Sequence, residues 1–282
     1  MSVVRVGRIT TVGAETRKLT AFLRRDLLIA ISYRMAFLTD WIAMVAQLLL
    51  FNFLGQIVQP GSIPEFGGSR PSYVEFVAVG IAVSSFMAVA LGRIFTAVRQ
   101  EQVQGTLESL LLTPTALTTI QLGSVVYDVA YVPIRTFVFL GLTSLVFGTH
   151  YDWSGLMPAL LVLLTFIPFV WGLGVLAAAW TLTFRRGTGA IGFFSSLLTL
   201  SAGTYFPIDV FPGWAEGLLR WNPVAIALQA TRESLLGGAG VADVLPTVLA
   251  LIPAAAISLL LGVFGFRMAL ERERRNGTLG LY

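Results

Sequence analysis

Residues 156–184 read LMPALLVLLTFIPFVWGLGVLAAAWTLTF and contain no charged side chain. A helix needs about 20 apolar residues to cross the hydrocarbon core of a bilayer, so this stretch is long enough to span it. The whole chain has the same character: of its 282 residues, 56% are hydrophobic and only 12% are charged. Soluble domains carry about 25% charged residues. The sequence therefore predicts an all-α membrane protein and excludes a soluble globular domain and a disordered chain.

Six apolar segments of this kind follow one another and predict six transmembrane helices. They are Ala36–Val58, Tyr73–Leu91, Gln121–Phe147, Leu156–Phe184, Gly189–Tyr205 and Val244–Phe266. The six spans define a membrane domain over residues 36–268, with an N-terminal segment at 1–35 and a charged tail at 269–282.

The basic residues indicate how the spans are oriented. An even number of spans places both termini on the same side of the membrane. That side carries 15 Arg and Lys residues, and the other side carries three. The three are Arg70, Arg220 and Arg232, while Arg135 lies inside a span. Cytoplasmic loops of membrane proteins carry an excess of Lys and Arg. Both termini are therefore expected in the cytoplasm, and the net charge of +4 needs no nucleic acid to explain it.

An amphipathic helix is predicted ahead of the first span, from Glu15 to Ile31. Its apolar side chains recur at helical spacing, with basic residues away from that stripe. Such a helix lies in the membrane interface with its basic groups toward anionic lipid head groups. A solvated cytosolic helix is the alternative. The stripe consists of Leu19, Phe22, Leu23, Leu27 and Ala30.

The residue types that are scarce exclude several chemistries. The chain has no Cys and a single His, His150, so disulfides, thiolate chemistry and multi-histidine metal sites are excluded. Its single Lys, Lys18, follows Arg17 and precedes Leu19, whereas a phosphate-binding P-loop needs Gly-Lys-Ser/Thr. We therefore expect no catalytic residue, no metal and no cofactor bound by this chain.

The segment between the second and third spans reads VRQEQVQGTLESLLLTP over residues 98–114. On a helical wheel its apolar residues form one stripe, and Glu101 and Glu108 share the opposite face. Pro114 ends the helix, and Gly105 allows another backbone to approach closely. Two interpretations remain: a helix resting on the membrane, or a stiff lever that docks into a soluble partner. The stripe consists of Val103, Leu107, Leu110 and Leu111.

Residues 206–242, between the fifth and sixth spans, are too polar to span and too apolar for a free loop. Two short helices divided at Trp221-Asn222-Pro223 and dipping into the outer leaflet satisfy both constraints. This external re-entrant hairpin is either an outer gate over the exit or a passive interfacial cap.

Two charges lie inside the third span. Asp128 and Arg135 are seven residues apart, hence on one face of the helix, and Arg135 leans toward Asp128. Charges inside a membrane face the bundle interior or a wet cavity. They form either a structural pair or a site for an anionic substrate or for gating.

Two of these segments resemble one family. The string E-x-x-x-G-T-L-E-x-L-L-x-T-P, Glu101 to Pro114, is similar to the cytosolic loop of ABC-2 type permeases, the membrane subunits of bacterial and archaeal ABC exporters with the type V, ABCG-like architecture. The stretch Ser201–Glu233 resembles the same family's segment between its fifth and sixth spans: an aromatic-Pro pair, a re-entrant hairpin, an Asn-Pro and an Arg. The resemblance covers nearly the whole chain.

The resemblance implies a transport subunit driven by a separate motor. The 98–112 helix would be the coupling helix, seated on an ABC ATPase present in two copies that binds ATP and Mg. The permease would pair with a second permease, the same chain or a paralogue, among the lipids of a prokaryotic cell membrane. The residues implied in coupling are Arg99, Glu101, Gly105, Thr106, Leu107 and Glu108.

The family also implies a pathway on the dimer axis lined by the second and fifth spans. That makes Phe86, Met87, Phe194 and Leu198 candidates for the pathway, with Phe206 and Pro207 at its gate. The apolar, aromatic spans favour a hydrophobic or amphipathic substrate, such as a drug or a lipid-like molecule. Export of a polysaccharide or lipid-linked glycan is the alternative.

Two other function classes fit less well. A secondary transporter would need midplane charge clusters or an internal repeat, and the sequence shows one charged pair and no repeat. A membrane-embedded enzyme would need clustered His, Asp or Glu, or a Ser nucleophile with a base.

Overall fold

The computed structural model describes residues 34–58, 63–103, 126–184 and 188–276, together with 24, 28 and 32. Within these ranges the chain is helical and has no strand beyond an isolated bridge between Phe66 and Ser69. Short 3-10 turns at Trp153–Gly155 and Ile208–Val210 precede two of the helices. The α-helices are α1 Arg34–Gly55, α2 Tyr73–Val103, α3 Val126–Phe147, α4 Leu156–Phe184, α5 Thr188–Ser201, α6 Gly213–Leu219, α7 Pro223–Gly237 and α8 Val241–Asn276.

Two segments are long and apolar enough to cross a membrane on their own: Trp153–Phe184 and Val241–Glu273. The apolar stretches of the other helices are shorter. They are Trp41–Gly55, Tyr73–Ala88, Tyr131–Phe147 and Gly189–Ser201. Each of the six overlaps one of the spans predicted from the sequence. The all-helical, apolar fold is confirmed, while the six-span topology stays a prediction.

The two helices with the longest apolar stretches, α4 and α8, form the most extensive helix pair of the described residues. The Ser258 hydroxyl of α8 donates to the Phe169 carbonyl of α4 across this contact, at 2.7 Å. Lipid tails are as apolar as membrane helices, so the hydrophobic effect does not drive such helices together. Interhelical hydrogen bonds and small side chains let them pack closely instead. α2 packs on the other side of α4, with Phe86 against Phe166 at a ring-centroid distance of 5.9 Å.

Helix α2 begins at a capping box. The Glu75 carboxylate accepts from the Ser72 backbone N–H at 2.7 Å, and the Ser72 hydroxyl accepts from the Glu75 N–H at 3.3 Å. Two otherwise unpaired N–H groups are satisfied reciprocally, which fixes the start of the helix. From there α2 continues well past Leu91, where the second span was predicted to end, and reaches Val103.

Helix α5 is shorter than the predicted fifth span, which extended to Tyr205. It ends at Ser201 because Gly203 adopts a positive φ of 76°, a left-handed conformation that terminates helices and that glycine adopts without strain. The chain turns there, so that Thr204 contacts α2 and Tyr205 contacts α1.

Helices α6 and α7 are divided at residues 220–222, where the sequence predicted a break. Asn222 caps α7 by accepting from the Val224 N–H at 3.0 Å, and its amide donates to the Leu198 carbonyl of α5 at 3.0 Å. α7 packs on α4, α8 and α2. Its apolar face is thus buried on protein, whereas the position of this hairpin in a membrane stays a prediction.

The predicted tail does not separate from the last helix. α8 runs from Val241 through the predicted boundary at 268/269 to Asn276 without a break. Ala269 and Phe266 pack against the second half of α4, beside Ala178 and Leu182. The N-terminal amphipathic helix falls almost wholly outside the described residues, and so does the coupling segment from residue 104 onward.

Candidate functional site

A cavity of about 430 Å³ lies between α1, α2, α3 and α5. Its wall is formed mainly by small and hydroxylated side chains, which is unusual among helices that are otherwise apolar. The residues lining it are Ala43, Met44, Gln47, Ile81, Ser84, Ser85, Ala88, Arg135, Ser195, Ser196, Thr199, Leu200 and Tyr205.

Helical periodicity explains how the hydroxyls converge. On α5, Ser195 and Thr199 are four residues apart and therefore share a face, and Ser84 and Ala88 do the same on α2. The Thr199 hydroxyl donates to the Ser195 carbonyl of its own helix at 2.9 Å, which lets a polar side chain sit in an apolar helix at low cost. Ser84 shares a hydrogen bond of 2.9 Å with Thr204, which joins α2 to the segment after α5.

Tyr205 closes one end of this cavity. Its hydroxyl accepts a hydrogen bond from the Gln47 side-chain amide at 2.9 Å, and its ring stacks on Phe51 with centroids 4.7 Å apart. Both partners lie on α1. The contact therefore bridges α1 to the chain that follows α5.

Arg135 enters the cavity wall from α3 and is only 3% exposed. Its guanidinium Nη2 contacts the Met44 sulfur at 2.9 Å. Asp128, its predicted partner, lies in the first turn of α3, where the structure describes the backbone but not the side chain. The pairing of Asp128 with Arg135 therefore stays a prediction, whereas Arg135 itself lies inside the bundle.

A second buried arginine, Arg232 of α7, is held by backbone carbonyls. It is 2% exposed and donates to the carbonyls of Gly203 and Thr204 at 3.0 Å each. Two further hydrogen bonds reach the Phe76 carbonyl of α2, at 3.1 and 3.3 Å. We call these contacts the carbonyl clamp. It joins α7, the first turns of α2 and the end of α5.

Two features make room for the carbonyl clamp. The Arg232 guanidinium carbon lies over the Phe76 ring, 3.4 Å from its centroid, in a cation–π contact. Gly80 faces it one turn further along α2, and a Cβ there would overlap the Thr204 carbonyl oxygen. Larger residues at Gly80 would therefore push the segment after α5 away from α2.

A second cavity, of about 420 Å³, lies on the hairpin side of Arg232. Pro207 and Arg220 line it, together with the carboxylates of Asp209 and Glu233. Arg220 forms ion pairs with Glu216 and, at 3.6 Å, with Asp209 on the protein surface.

The turn before α4 is tied to the start of α2. The Glu75 carboxylate accepts from the His150 backbone N–H at 2.7 Å. Burial raises the pKa of the Tyr151 phenol, so this side chain keeps its proton at neutral pH. Hydrogen bonds from the Ser154 hydroxyl and backbone lower the pKa of the Asp152 carboxyl, which stays ionised as the cap of the 3-10 turn.

The predicted pathway residues are dispersed. Phe86 and Met87 are fully buried in the core and do not line the cavity. Phe194 is 59% exposed on the outside of α5, and Leu198 is half-buried. Their neighbours on the same helices line the cavity instead, and a role for these four on a dimer axis stays a prediction.

The gate and coupling candidates lie elsewhere. Phe206 packs against Phe211 at 5.4 Å, and Pro207 lines the second cavity. Arg99 and Glu101 belong to the far end of α2, where the structure describes the backbone only. Gly105, Thr106, Leu107 and Glu108 fall outside the described residues.

Sequence reasoning placed Arg232 in the external hairpin but missed its burial. A helical signal was present, because Arg232 falls four residues after Leu228 and three before Leu235 on the buried stripe of α7. Gln47 and Tyr205 carried no comparable signal.

The fold and the cavity define the class: an all-helical membrane protein with a hydroxyl-lined cavity that is open at the surface of its bundle. A model of the ABC-2 type transporter family matches residues 17–236. Since the match covers well over half of the chain, the protein belongs to the ABC-2 type transporter family. It is a membrane component of an ABC transporter. Permeases of the ABC-2 family lack the nucleotide-binding domain. No curated protein matches the chain.

Proposed function

We propose that this chain is the permease subunit of an ATP-binding cassette exporter, which forms the translocation pathway and is driven by a separate ATPase. The observation that supports it most is the family match over residues 17–236, which includes the segment between α2 and α3. The hydroxyl-lined cavity supports it independently, because a transport subunit needs a polar site within apolar helices.

The coupling site is proposed at residues 98–112, with Arg99, Glu101, Gly105, Thr106, Leu107 and Glu108 against the ATPase. The length of α2 supports this placement. Its apolar part ends at Ala88, and the helix continues to Val103. At 1.5 Å per residue, Glu101 stands about 20 Å beyond Ala88 along the axis. Glu101 therefore lies well beyond the apolar part of its own helix.

The proposed assembly contains two permeases and two ATPase subunits that bind ATP and Mg, in the cell membrane of a prokaryote with both termini cytoplasmic. The exposed apolar side chains of α5 and α1 are consistent with burial against lipid or a second permease. They include Ile42, Leu50, Phe53, Phe193, Phe194 and Leu197.

The proposed substrate is hydrophobic or amphipathic, a drug or a lipid-like molecule. The cavity supports it, since its volume falls in the range of small-molecule sites and it combines apolar and polar walls. Export of a polysaccharide or lipid-linked glycan is the second candidate. The convergence of Ser84, Ser85, Ser195, Ser196 and Thr199 favours it, because hydroxyl rows suit sugar hydroxyls.

Copurification of this chain with a P-loop ATPase from its own cells tests the proposal. We expect the ATPase to copurify and its ATP hydrolysis to rise in the complex. The double variant Glu101→Arg, Glu108→Arg should abolish that stimulation, because charge reversal repels the docking surface, while membrane insertion stays normal.

The matched control is Glu65→Arg, an exposed residue on the predicted external side, which should leave stimulation unchanged. Normal stimulation by the double variant would exclude the proposed coupling site. A chain that copurifies with no ATPase would contradict the exporter itself.

A further inference from the structure

The exposed face of α8 changes from apolar to basic near the C-terminal end of the helix. Arg267, Arg272 and Arg275, all exposed, form what we call the basic end of α8. At 100° per residue, Ile257, Phe264 and Arg275 fall within about 20° of one another around the helix axis. The apolar side chains of this face are each more than half exposed: Ile257, Leu260, Leu261, Phe264 and Met268. An apolar strip therefore leads directly into a group of cations.

The carboxylates of the same segment leave the basic end with a net positive charge. Glu273 is buried on the side of the helix that Phe266 and Ala269 share, which packs against α4. Glu271 is exposed and lies within about one turn of two of the arginines, so it offsets one of the three charges. The ion pairs found among the described residues do not include these three arginines.

The length of the apolar stretch sets the depth at which the basic end lies in a membrane. Residues 244–266 carry no charge and span about 33 Å, close to the thickness of about 30 Å of a hydrocarbon core. Arg267 therefore stands at the edge of the core, and Arg272 about 8 Å further, among the head groups.

A tryptophan on α4 marks the same level. Ala179 of α4 belongs to the cluster that Phe266 forms with the end of α4, and the next residue, Trp180, is 43% exposed. Tryptophan rings are enriched where the apolar core meets the head groups. Both helices thus change character at the same end.

We infer that the basic end of α8 binds an anionic phospholipid, whose phosphate lies against the arginines and whose acyl chain lies along Leu261 and Phe264. Arginine binds phosphate oxygens through charge-assisted, often bidentate hydrogen bonds. The apolar strip favours a lipid over a soluble protein, because only a lipid has a hydrocarbon chain joined to its phosphate. The inference goes beyond the proposed function and needs only that α8 crosses a membrane.

The test measures which lipid lies beside α8 in the full-length chain, reconstituted in nanodiscs of phosphatidylcholine and phosphatidylglycerol. Because the chain has no Cys, Leu261→Cys provides a unique site for a bimane fluorophore at the depth of the acyl chains. Either lipid is brominated on its acyl chain, at equal mole fraction, to quench the fluorophore. We expect phosphatidylglycerol to be enriched beside the probe by about fivefold. Equal quenching by the two lipids overturns the inference.

The matched control is Leu249→Cys, on the same helix and also exposed. It lies five residues in from Val244, as Leu261 lies five residues in from Phe266, so the two probes have the same depth from opposite ends. The control should show a preference of less than about twofold, since the basic end is far from it. An equal preference at both probes overturns the inference, because the enrichment would then belong to the whole helix.

Charge variants assign the preference to the arginines. The double variant Arg272→Gln, Arg275→Gln should lower the enrichment at Leu261→Cys to less than about twofold. Arg70→Gln, which removes a cation from an exposed loop, should leave it unchanged. An unchanged enrichment in the double variant overturns the inference. If the double variant fails to fold, Glu271→Gln decides: removal of the carboxylate should raise the enrichment, and no rise overturns the inference.

ATPase copurification separates this inference from the proposed function. The double variant should copurify with the ATPase as the wild type does. Loss of copurification with the lipid preference intact would overturn the inference, because the basic end would then contact the ATPase. Failure of the wild type to copurify would contradict the proposed function alone, and the lipid preference in nanodiscs would still decide the inference.

Discussion

Two arginines are buried among the residues whose side chains the structure describes, and their surroundings differ. Arg232 donates to three backbone carbonyls and covers the Phe76 ring, so its guanidinium is enclosed by groups of fixed position. Arg135 forms part of the wall of a cavity of about 430 Å³ and contacts a methionine sulfur there. The guanidinium of Arg232 is held by backbone carbonyls, whereas Arg135 borders a cavity.

The hydrogen-bond partners of a buried arginine indicate whether it stabilises the fold. Burying a cation is costly unless hydrogen bonds replace its hydration, and the carbonyl clamp supplies them permanently. The carbonyls of Gly203 and Thr204 follow the end of α5, where the helix dipole also favours positive charge. Arg232 therefore stabilises the fold, whereas Arg135 forms part of a cavity wall.

The largest effect is expected from Arg232→Met. The change removes the donor from the Gly203 and Thr204 carbonyls, and each unsatisfied buried group costs about 1–3 kcal/mol, whereas the Phe76 carbonyl keeps its partner within α2. The hairpin would detach from α2 and α5. We expect a large fall in thermal stability in detergent, measured by the temperature at which the purified protein aggregates.

Arg232→Lys is the informative companion, because an ammonium group keeps the charge but cannot reach all three carbonyls in one plane. It should fall between the wild type and Arg232→Met. Wild-type stability of Arg232→Met would show that the clamp contributes little and would remove the contrast between the two arginines.

An intermediate effect is expected from Tyr205→Phe. The variant keeps the stacking on Phe51 and removes the hydroxyl that accepts from Gln47, so stability should fall by about 0.5–1.5 kcal/mol. The closed end of the cavity should open more often. Because the chain has no Cys, a single label site at the half-buried lining residue Ser85, introduced as Ser85→Cys, reports this without background. A water-soluble thiol reagent should modify it faster in the Tyr205→Phe protein.

The control for that measurement is Val241→Cys, an exposed position at the start of α8. Its modification rate should be the same with and without Tyr205→Phe. If both cysteines accelerate, the change is a general loosening and Tyr205 does not close the cavity.

The smallest effect is expected from Arg220→Gln, which lies on the same hairpin as Arg232. Its side chain is 65% exposed and pairs with Glu216 and Asp209 at the surface. Exposed ion pairs contribute about 0–1 kcal/mol. The aggregation temperature should stay close to that of the wild type, and a loss as large as that of Arg232→Met would refute the distinction by burial.

Much of the fold could be predicted because its signals are local. The apolar runs gave the positions of the long helices, and Trp221-Asn222-Pro223 gave the division of the hairpin. Helix ends were less predictable: α2 passes Leu91 because nothing in the following residues stops a helix, and α5 stops early at Gly203. A polar sequence does not by itself end a helix, so α2 continues beyond its apolar part.

The candidate site was harder to predict because it depends on which helices meet. The sequence placed Arg135 in a bundle interior, and Arg135 lines the cavity. It favoured Phe86 and Met87 on α2, one and two positions past the lining residue Ser85. A helix turns by about 100° per residue, so a small error in rotation exchanges core for cavity.

The unbroken course of α2 has a mechanical consequence. Phe76 and Glu101 lie on the same helix, 25 residues and about 38 Å apart, with no proline between them. The first holds Arg232 through its carbonyl, and the second stands at the opposite tip. A rod of this kind cannot shorten, so a tilt imposed at one tip displaces the hydrogen bonds at the other. The carbonyl clamp and the proposed coupling site therefore lie toward opposite ends of one continuous helix.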